Sequence, residues 1–282
     1  MVVGWYPMGV RILVTNDDGI LAPGILPLAQ AMTRFGDVTV VAPDTEYSGA
    51  GAAIGAIWER QPHVTRHRLD GIDTAWAVNG PPALAVMYAR LGAFGGEFDL
   101  VVSGINPGAN VGRSVYHSGT VGACLSGRNG GWSGIAVSQA SAGWGVEGQA
   151  WEETVKLQKW ETAAGVASAF VEGYVAEPPA DVVIANINVP NVELHEIEGW
   201  ARTEVGQLPP RAMASAALVA RDGEPDEFDV AVEWGDKIDL PVHTDGGAIE
   251  QNRVSVSYLT RLEAEPRSDM ASAEAGLAAL LG

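Results

Sequence analysis

The stretch Arg11-Ile12-Leu13-Val14-Thr15-Asn16-Asp17-Asp18-Gly19 decides how the chain is read. Residues 12–15 form a short apolar run of the kind found in strands buried on both faces. The run ends abruptly in two adjacent carboxylates and a glycine. Further along the chain, β-branched runs alternate with Ala-rich helical stretches. A helix is predicted over 23–35, with Ile25, Leu28, Ala29 and Met32 on one face. Strands follow at 38–42, 100–103, 135–138 and 182–188, and helices at 82–91, 121–128 and 152–176. This alternation predicts an α/β class: three layers, α/β/α, around a mostly parallel sheet.

Residues 190–245 read differently. Polar and apolar types alternate there and are broken by Pro209-Pro210 and by the run 221–226. Antiparallel hairpins projecting from the sheet are expected, not another βαβ unit. A turn and strand at 244–260 and a short Ala/Leu helix at 268–281 complete the chain. The division expected is an N-terminal extension at 1–9, a catalytic core at 10–189, a hairpin arm at 190–245 and a C-terminal strand and helix at 246–282. Such an arm and terminal helix dock on a second subunit in many dimers, so a homo-oligomer is expected.

Of the 282 residues, 47% are apolar, which excludes disorder as the main state. Asp and Glu number 35 against 17 Lys and Arg, a net charge of −18 that repels duplex nucleic acid and anionic lipid. No apolar run is long enough for a membrane span, and the first ten residues lack the cationic start of a signal peptide. The single cysteine, Cys124, excludes an intrachain disulfide and a multi-cysteine metal site. A cytoplasmic protein is expected, with residues 1–7 as a tail.

Three loops carry the chemistry. Asn16-Asp17-Asp18-Gly19 follows the first strand, at the edge where open parallel sheets bind ligands. Two adjacent carboxylates repel each other, and a hard divalent cation relieves this by taking oxygen from both. An ordinary polar turn is the alternative. The loop 43–51, after the second strand, offers the Ser48 hydroxyl and glycines around it; by itself it also reads as a plain flexible loop. The segment 103–112 offers the Asn106 amide oxygen and the Asn110 amide. Ser118-Gly119-Thr120 precede a helix, whose free amides and hydroxyls suit a phosphate. Asn16 joins Asn110, Ser118, Gly119 and Thr120 as a phosphate-binding candidate. Together these outline a metal-assisted phosphoryl-transfer site.

The blocks TNDDGILAPGI (15–25), VAPDTEYSGA (41–50), SGINPGANVG (103–112), HSGTVGACLSG (117–127), NINVP (186–190) and TDGGAIEQNRVSVSYL (244–259) resemble the SurE family. Its members are stationary-phase survival proteins and divalent-metal-dependent 5′-nucleotidases. The resemblance implies a Rossmann-like sheet, dimers or tetramers, and a nucleoside monophosphate or another small phosphate ester as substrate. It implies Asp17, Asp18, Ser48 and Asn106 as ligands of one Mg2+ or Mn2+ ion, with Asp17 and Asp18 also catalytic. Asn110, Ser118, Gly119 and Thr120 match positions lining the phosphate.

The chain departs from the family pattern at Gly80-Pro81-Pro82-Ala83-Leu84, where the family carries a Thr and an Asp. His117 replaces a tyrosine, and Ser126 an acidic residue. Beyond Ser141 the resemblance fades into a Gly/Trp-rich stretch, 142–151, that reads as a mouth loop. His117 is a candidate proton donor, and Arg113 a candidate phosphate partner. Trp132, Trp144 and Trp151 are candidates for stacking on a base. Cys124 reads as buried and inert. A protein of this fold that binds nucleotides or assembles without turnover is the alternative to an enzyme, and the altered segment 81–84 is what favours it.

Overall fold

A computed structural model describes residues 9–55, 57, 61–141, 155–208, 213–223, 226–262 and 264–281. The predicted tail 1–7, the stretch 142–151 with Trp144 and Trp151, and Pro209-Pro210 lie outside them. Strand β1 (Val10–Thr15) leads through helix α1 (Ile25–Met32) to β2 (Gly36–Pro43), which pairs parallel to β1. Helix α1 buries Ile25, Leu28, Ala29 and Met32, the stripe its sequence predicts. Pro27 is tolerated there because it occupies the first turn, where its missing N–H has no helical partner.

An antiparallel pair follows, β3 (Val64–Leu69) and β4 (Ile72–Val78), and β4 runs parallel to β2. The sequence reading had no strands here. β3 carries Arg66, His67 and Arg68 at the sheet edge, so it lacks the apolar run that marks a buried strand. Helix α2 (Pro82–Arg90), β5 (Leu100–Pro107), helix α3 (Gly119–Arg128) and β6 (Ser133–Gln139) come next. Helix α4 (Trp160–Ala176) starts eight residues later than expected and leads to β7 (Ile184–Val189).

The C-terminal part corrects one expectation. The string from 192 to 206 does not form a hairpin. It gives a short 3-10 turn at Leu194–Glu196 and a three-residue strand, β8 (Trp200–Arg202). β8 joins the main sheet parallel to β11 (Val254–Leu259), beyond the short helix α5 (Asp245–Glu250). The projecting hairpin is confined to β9 (Met213–Ala220) and β10 (Phe228–Trp234), a separate antiparallel ribbon. Helix α6 (Ala271–Leu281) ends the description with no buried residue.

The nine-stranded sheet runs β3-β4-β2-β1-β5-β6-β7-β11-β8. Its six central strands, β4 to β7, are parallel. Alternation along β1 sends Ile12 and Val14 to the face covered by α1 and α4, and Leu13 to the face covered by α2 and α3. This is the three-layer, mostly parallel α/β/α architecture expected. No helix among the described residues is long and apolar enough to cross a membrane. From β1 the chain builds outward through β2 to β4, then returns to place β5 on the other side of β1. The order reverses between β1 and β5, and in such sheets a crevice opens at their C-terminal ends.

Candidate functional site

β1 and β5 pair with Thr15 opposite Ser103, so Asp17 and Asp18 leave the sheet at the edge toward which β5 runs on to Asn106, itself paired with Ser138 of β6. The two carboxylates have different surroundings. Asp17 is clasped by the N-terminus of α3: the Gly119 amide donates to Oδ2 at 3.1 Å and the Thr120 hydroxyl to Oδ1 at 2.5 Å. A negative group is well placed at that positive helix end. The approach depends on Gly119 having no side chain, since a Cβ there would sit 2.7 Å from Asp17 Oδ2 and 2.6 Å from its Cβ. Burial raises the Asp17 pKa, while these hydrogen bonds oppose the rise.

Asp18 has no such support. Both its carboxylate oxygens are buried without a hydrogen-bond partner. Burial, followed by the charges of Asp17 and Glu46, pushes its pKa well above the usual carboxylate value. Buried polar atoms in native proteins are nearly always satisfied, so two orphaned oxygens on one carboxylate need a partner. A divalent cation fits: it pairs the oxygens and cancels the repulsion of Asp17 and Glu46.

Asn106 is half-buried, and its Nδ2 donates to the Gly108 carbonyl at 2.7 Å, which orients the amide. Its neighbours Ile105 and Pro107 line the same cavity as Asp18. Ser48 is exposed, one residue beyond Tyr47, whose amide donates to the Asp17 carbonyl at 2.7 Å. No three His, Cys, Asp or Glu among the described residues cluster as a metal site. Any cation here draws on amide and hydroxyl oxygens as well as carboxylates, a donor set for hard ions such as Mg2+ rather than for zinc.

The expected phosphate-binding residues divide. The Ser118 hydroxyl caps α3 by accepting the Val121 amide at 3.1 Å and keeps its own proton to donate. Gly119 and Thr120 are engaged by Asp17. Asn110 is buried: its backbone amide meets Asn188 Oδ1 at 2.7 Å, its Nδ2 meets Ser138 Oγ at 2.8 Å, and its carbonyl takes Asn186 Nδ2 at 2.9 Å. Asn16 spends both ends of its amide on Gly19, donating to the carbonyl at 2.9 Å and accepting the amide at 3.2 Å. That closes the turn carrying the carboxylates, and Asn16 is fully buried there. His117 is exposed, and its carbonyl accepts the Gly51 amide, joining the second loop to the third.

A cavity of about 380 Å3 opens from Asp18. Pro23, Ile105, Pro107 and Trp160 form apolar walls, Glu46 stands beside Asp18, and Lys156 is the one cation among its lining residues. Glu46, Lys156 and Trp160 had not been singled out. Glu46 lies inside the second loop and was legible there. Trp160 reaches the site through the packing of α4 against α1, and Lys156 lies four residues before it; no local pattern announces either. Asp245 was also missed, though it stands in the quoted block 244–259. It is buried and holds the amides of Gly112 at 2.9 Å, Gly206 at 3.0 Å and Gly246 at 2.8 Å, pinning the third loop to α5.

Two departures from the family pattern meet away from the carboxylates. Pro81 and Pro82 start α2, and the Ser126 hydroxyl of α3 donates to the Ala83 carbonyl at 3.1 Å. They form one buried contact between α2 and α3. Cys124 is fully buried, and burial drives its thiol pKa far up, so it is no nucleophile.

The family model described as "Survival protein SurE" matches residues 12–211. The chain is 37% identical to the 5′-nucleotidase SurE of Alkalilimnicola ehrlichii over 253 residues, which cover 88% of each chain. It is 36% identical to that of Aeromonas hydrophila subsp. hydrophila over 260 residues, 89% of this chain and 92% of the relative. The crystal structure of the SurE protein from Aquifex aeolicus superposes with a TM-score of 0.72 at 28% identity, covering 95% of this chain and 99% of that one. A family match over residues 12–211, with relatives 36–37% identical over most of the chain, means that the chain belongs to the SurE family.

Proposed function

We propose that this protein is a divalent-metal-dependent phosphomonoesterase that releases phosphate from nucleoside 5′-monophosphates. The observation that carries the reading is Asp18: a buried carboxylate with no partner, next to Asp17, at the sheet's switch point. The activity named for the relatives at 37% and 36% identity supports the substrate class.

Asp17, Asp18, Ser48 and Asn106 hold one Mg2+ or Mn2+ ion. When bound, the cation supplies charge neutralisation at the phosphoryl oxygens and Lewis acidity toward the attacking water. The chain supplies the rest. Gly119 and Thr120 fix Asp17 in one orientation, so no reorganisation is needed as the substrate reacts. The positive end of α3 favours the phosphate's negative charge, and the Ser118 hydroxyl at that end binds it together with Asn110. Asp17 or Asp18 orients the water. We assign to His117, exposed and joined to the second loop through its carbonyl, the proton given to the leaving alkoxide. Asn16 holds the turn.

Assembly belongs to the same proposal. One face of the β9–β10 ribbon carries Leu218 opposite Val230, Ala216 opposite Val232 and Ala220 opposite Phe228; the other is mixed, with Asp229 opposite Val219, Ala231 opposite Ala217 and Glu233 opposite Ser215. The apolar face is exposed along its length, and a two-stranded ribbon is marginal alone in water. A second copy of the chain covers it, giving a dimer or tetramer in the cytoplasm.

The test is phosphate release from adenosine 5′-monophosphate by purified protein with Mg2+, with Mn2+ and after EDTA treatment. Release that stops with EDTA and returns with the metal is expected. Release unaffected by EDTA, or none with any divalent metal, overturns the reading.

A further inference from the structure

We infer that the cavity beside Asp18 is the nucleoside subsite and that Trp160 selects nucleotides by stacking on the base. The inference rests on the phosphomonoesterase reading for the direction in which the substrate lies. A nucleoside monophosphate is a charged head on a flat, largely apolar body. The cavity has both kinds of lining. Asp18, whose two unpartnered oxygens mark where a cation and hence the phosphate sits, lines it together with the apolar Pro23, Pro107 and the Trp160 indole. Its volume of about 380 Å3 falls within the range of small-ligand pockets, near the lower end, which suits one nucleoside and not an oligonucleotide.

The indole is held in place. Trp160 is the first residue of α4 and packs partly buried against the core below α1. A Cβ at Gly24 would lie 2.9 Å from its Cζ3, so the loop after β1 passes directly against the ring. The loop that carries the carboxylates therefore runs on to pass against the indole, so Asp18 and the ring are tied by one segment of chain. A rigid aromatic gives up little entropy when a base stacks on it. Stacking is tolerant of base identity, so discrimination is expected between nucleotides and esters without a base, rather than among the four bases.

The experiment compares wild type, Trp160→Ala and Trp160→Phe on adenosine 5′-monophosphate, guanosine 5′-monophosphate and ribose 5-phosphate. Trp160→Ala is expected to lower kcat/KM for both nucleotides about tenfold or more. The loss falls mainly on KM, and ribose 5-phosphate changes by less than twofold. Trp160→Phe retains most of the nucleotide preference. An equal loss on all three esters makes Trp160 a purely structural residue and overturns the inference; so does an unchanged nucleotide preference in Trp160→Ala. Equilibrium dialysis with adenosine, which carries no phosphate to release, gives a second readout. If wild type hydrolyses none of the esters, the phosphomonoesterase reading fails, and dialysis still decides the subsite. Adenosine binding weakened in Trp160→Ala upholds it, while binding that is absent in wild type or equal in the two proteins overturns it.

Discussion

The two adjacent aspartates show how position, more than residue type, sets a role. Asp17 is spent on the helix behind it, and Asp18 faces the cavity with nothing to bind. In the metal-free protein Asp18 is a cost: a desolvated charge beside Asp17 and Glu46. Asp18→Asn therefore raises the Tm of the metal-free protein, each ~1 kcal/mol recovered being worth ~2–4 °C in a chain of this size. Differential scanning calorimetry in EDTA checks this, and a lower Tm contradicts it. Asp245 gives the opposite case. Asp245→Asn keeps Oδ1 for Gly206 and Gly246 but turns an N–H toward the Gly112 amide that Oδ2 accepted. A loss of about 1–3 kcal/mol of stability is expected in a urea titration, from the unsatisfied buried donor. No loss would show that Gly112 finds another partner. Cys124 should resist thiol reagents in the native protein and react once it unfolds; Cys124→Ala should keep phosphate release within a few-fold of wild type.

At the scale of elements, helix α3 is built for its contact with Asp17 rather than for its own stability. Alanine in place of glycine inside a helix usually stabilises by up to ~1 kcal/mol. At Gly119 the added carbon would sit 2.6 Å from the Asp17 Cβ, so Gly119→Ala drives Asp17 off the helix end. Phosphate release falling by tenfold or more, with unchanged far-UV circular dichroism, is expected; wild-type activity would contradict the assigned clasp. This contact also shows what could be read in advance. The α1 stripe of Ile25, Leu28, Ala29 and Met32, and the apolar strands β1 and β6, follow from local period and are where the sequence places them, while β5 runs on to Pro107 through residues expected as loop. The clasp joins residues 102 positions apart, so Gly119 and Thr120 read as a free helix end until the fold brings Asp17 to them. Asn16 shows the opposite case: its partner is only three residues away, and it closes the turn that carries the carboxylates. β3 and β8 were missed because one is a charged edge and the other has three residues. Trp160 lies on the site through packing between helices, with Lys156 four residues before it.

For the whole molecule, charge and surface set the terms on which substrate and partner copies meet. A chain of net charge −18 repels a phosphate dianion at long range. Lys156, at the cavity beside Asp18 and Glu46, offsets that locally. Lys156→Gln is expected to raise KM for adenosine 5′-monophosphate several-fold with little change in kcat, an effect that shrinks as salt is raised; a KM equal to wild type at low salt would remove Lys156 from binding. The apolar face of the β9–β10 ribbon predicts self-association. Sedimentation equilibrium at micromolar concentration should give at least twice the chain mass, and Leu218→Asp with Val230→Asp, a directly paired position, should bring it to the monomer. A monomeric wild type would contradict the proposed role of the arm.

The central claim is that Asp18 is unpartnered because it holds a divalent cation on which phosphate release depends. Its most direct test is phosphate release from adenosine 5′-monophosphate by wild type and Asp18→Asn, measured across a range of Mn2+ concentrations with the fold checked by circular dichroism. The amide keeps the shape and removes a full negative charge from the cation's surroundings. The account predicts a saturable metal dependence for wild type and, for a folded Asp18→Asn, turnover lower by about 100-fold or more at every concentration. Turnover by the variant within a few-fold of wild type, over the same range of metal, would contradict it.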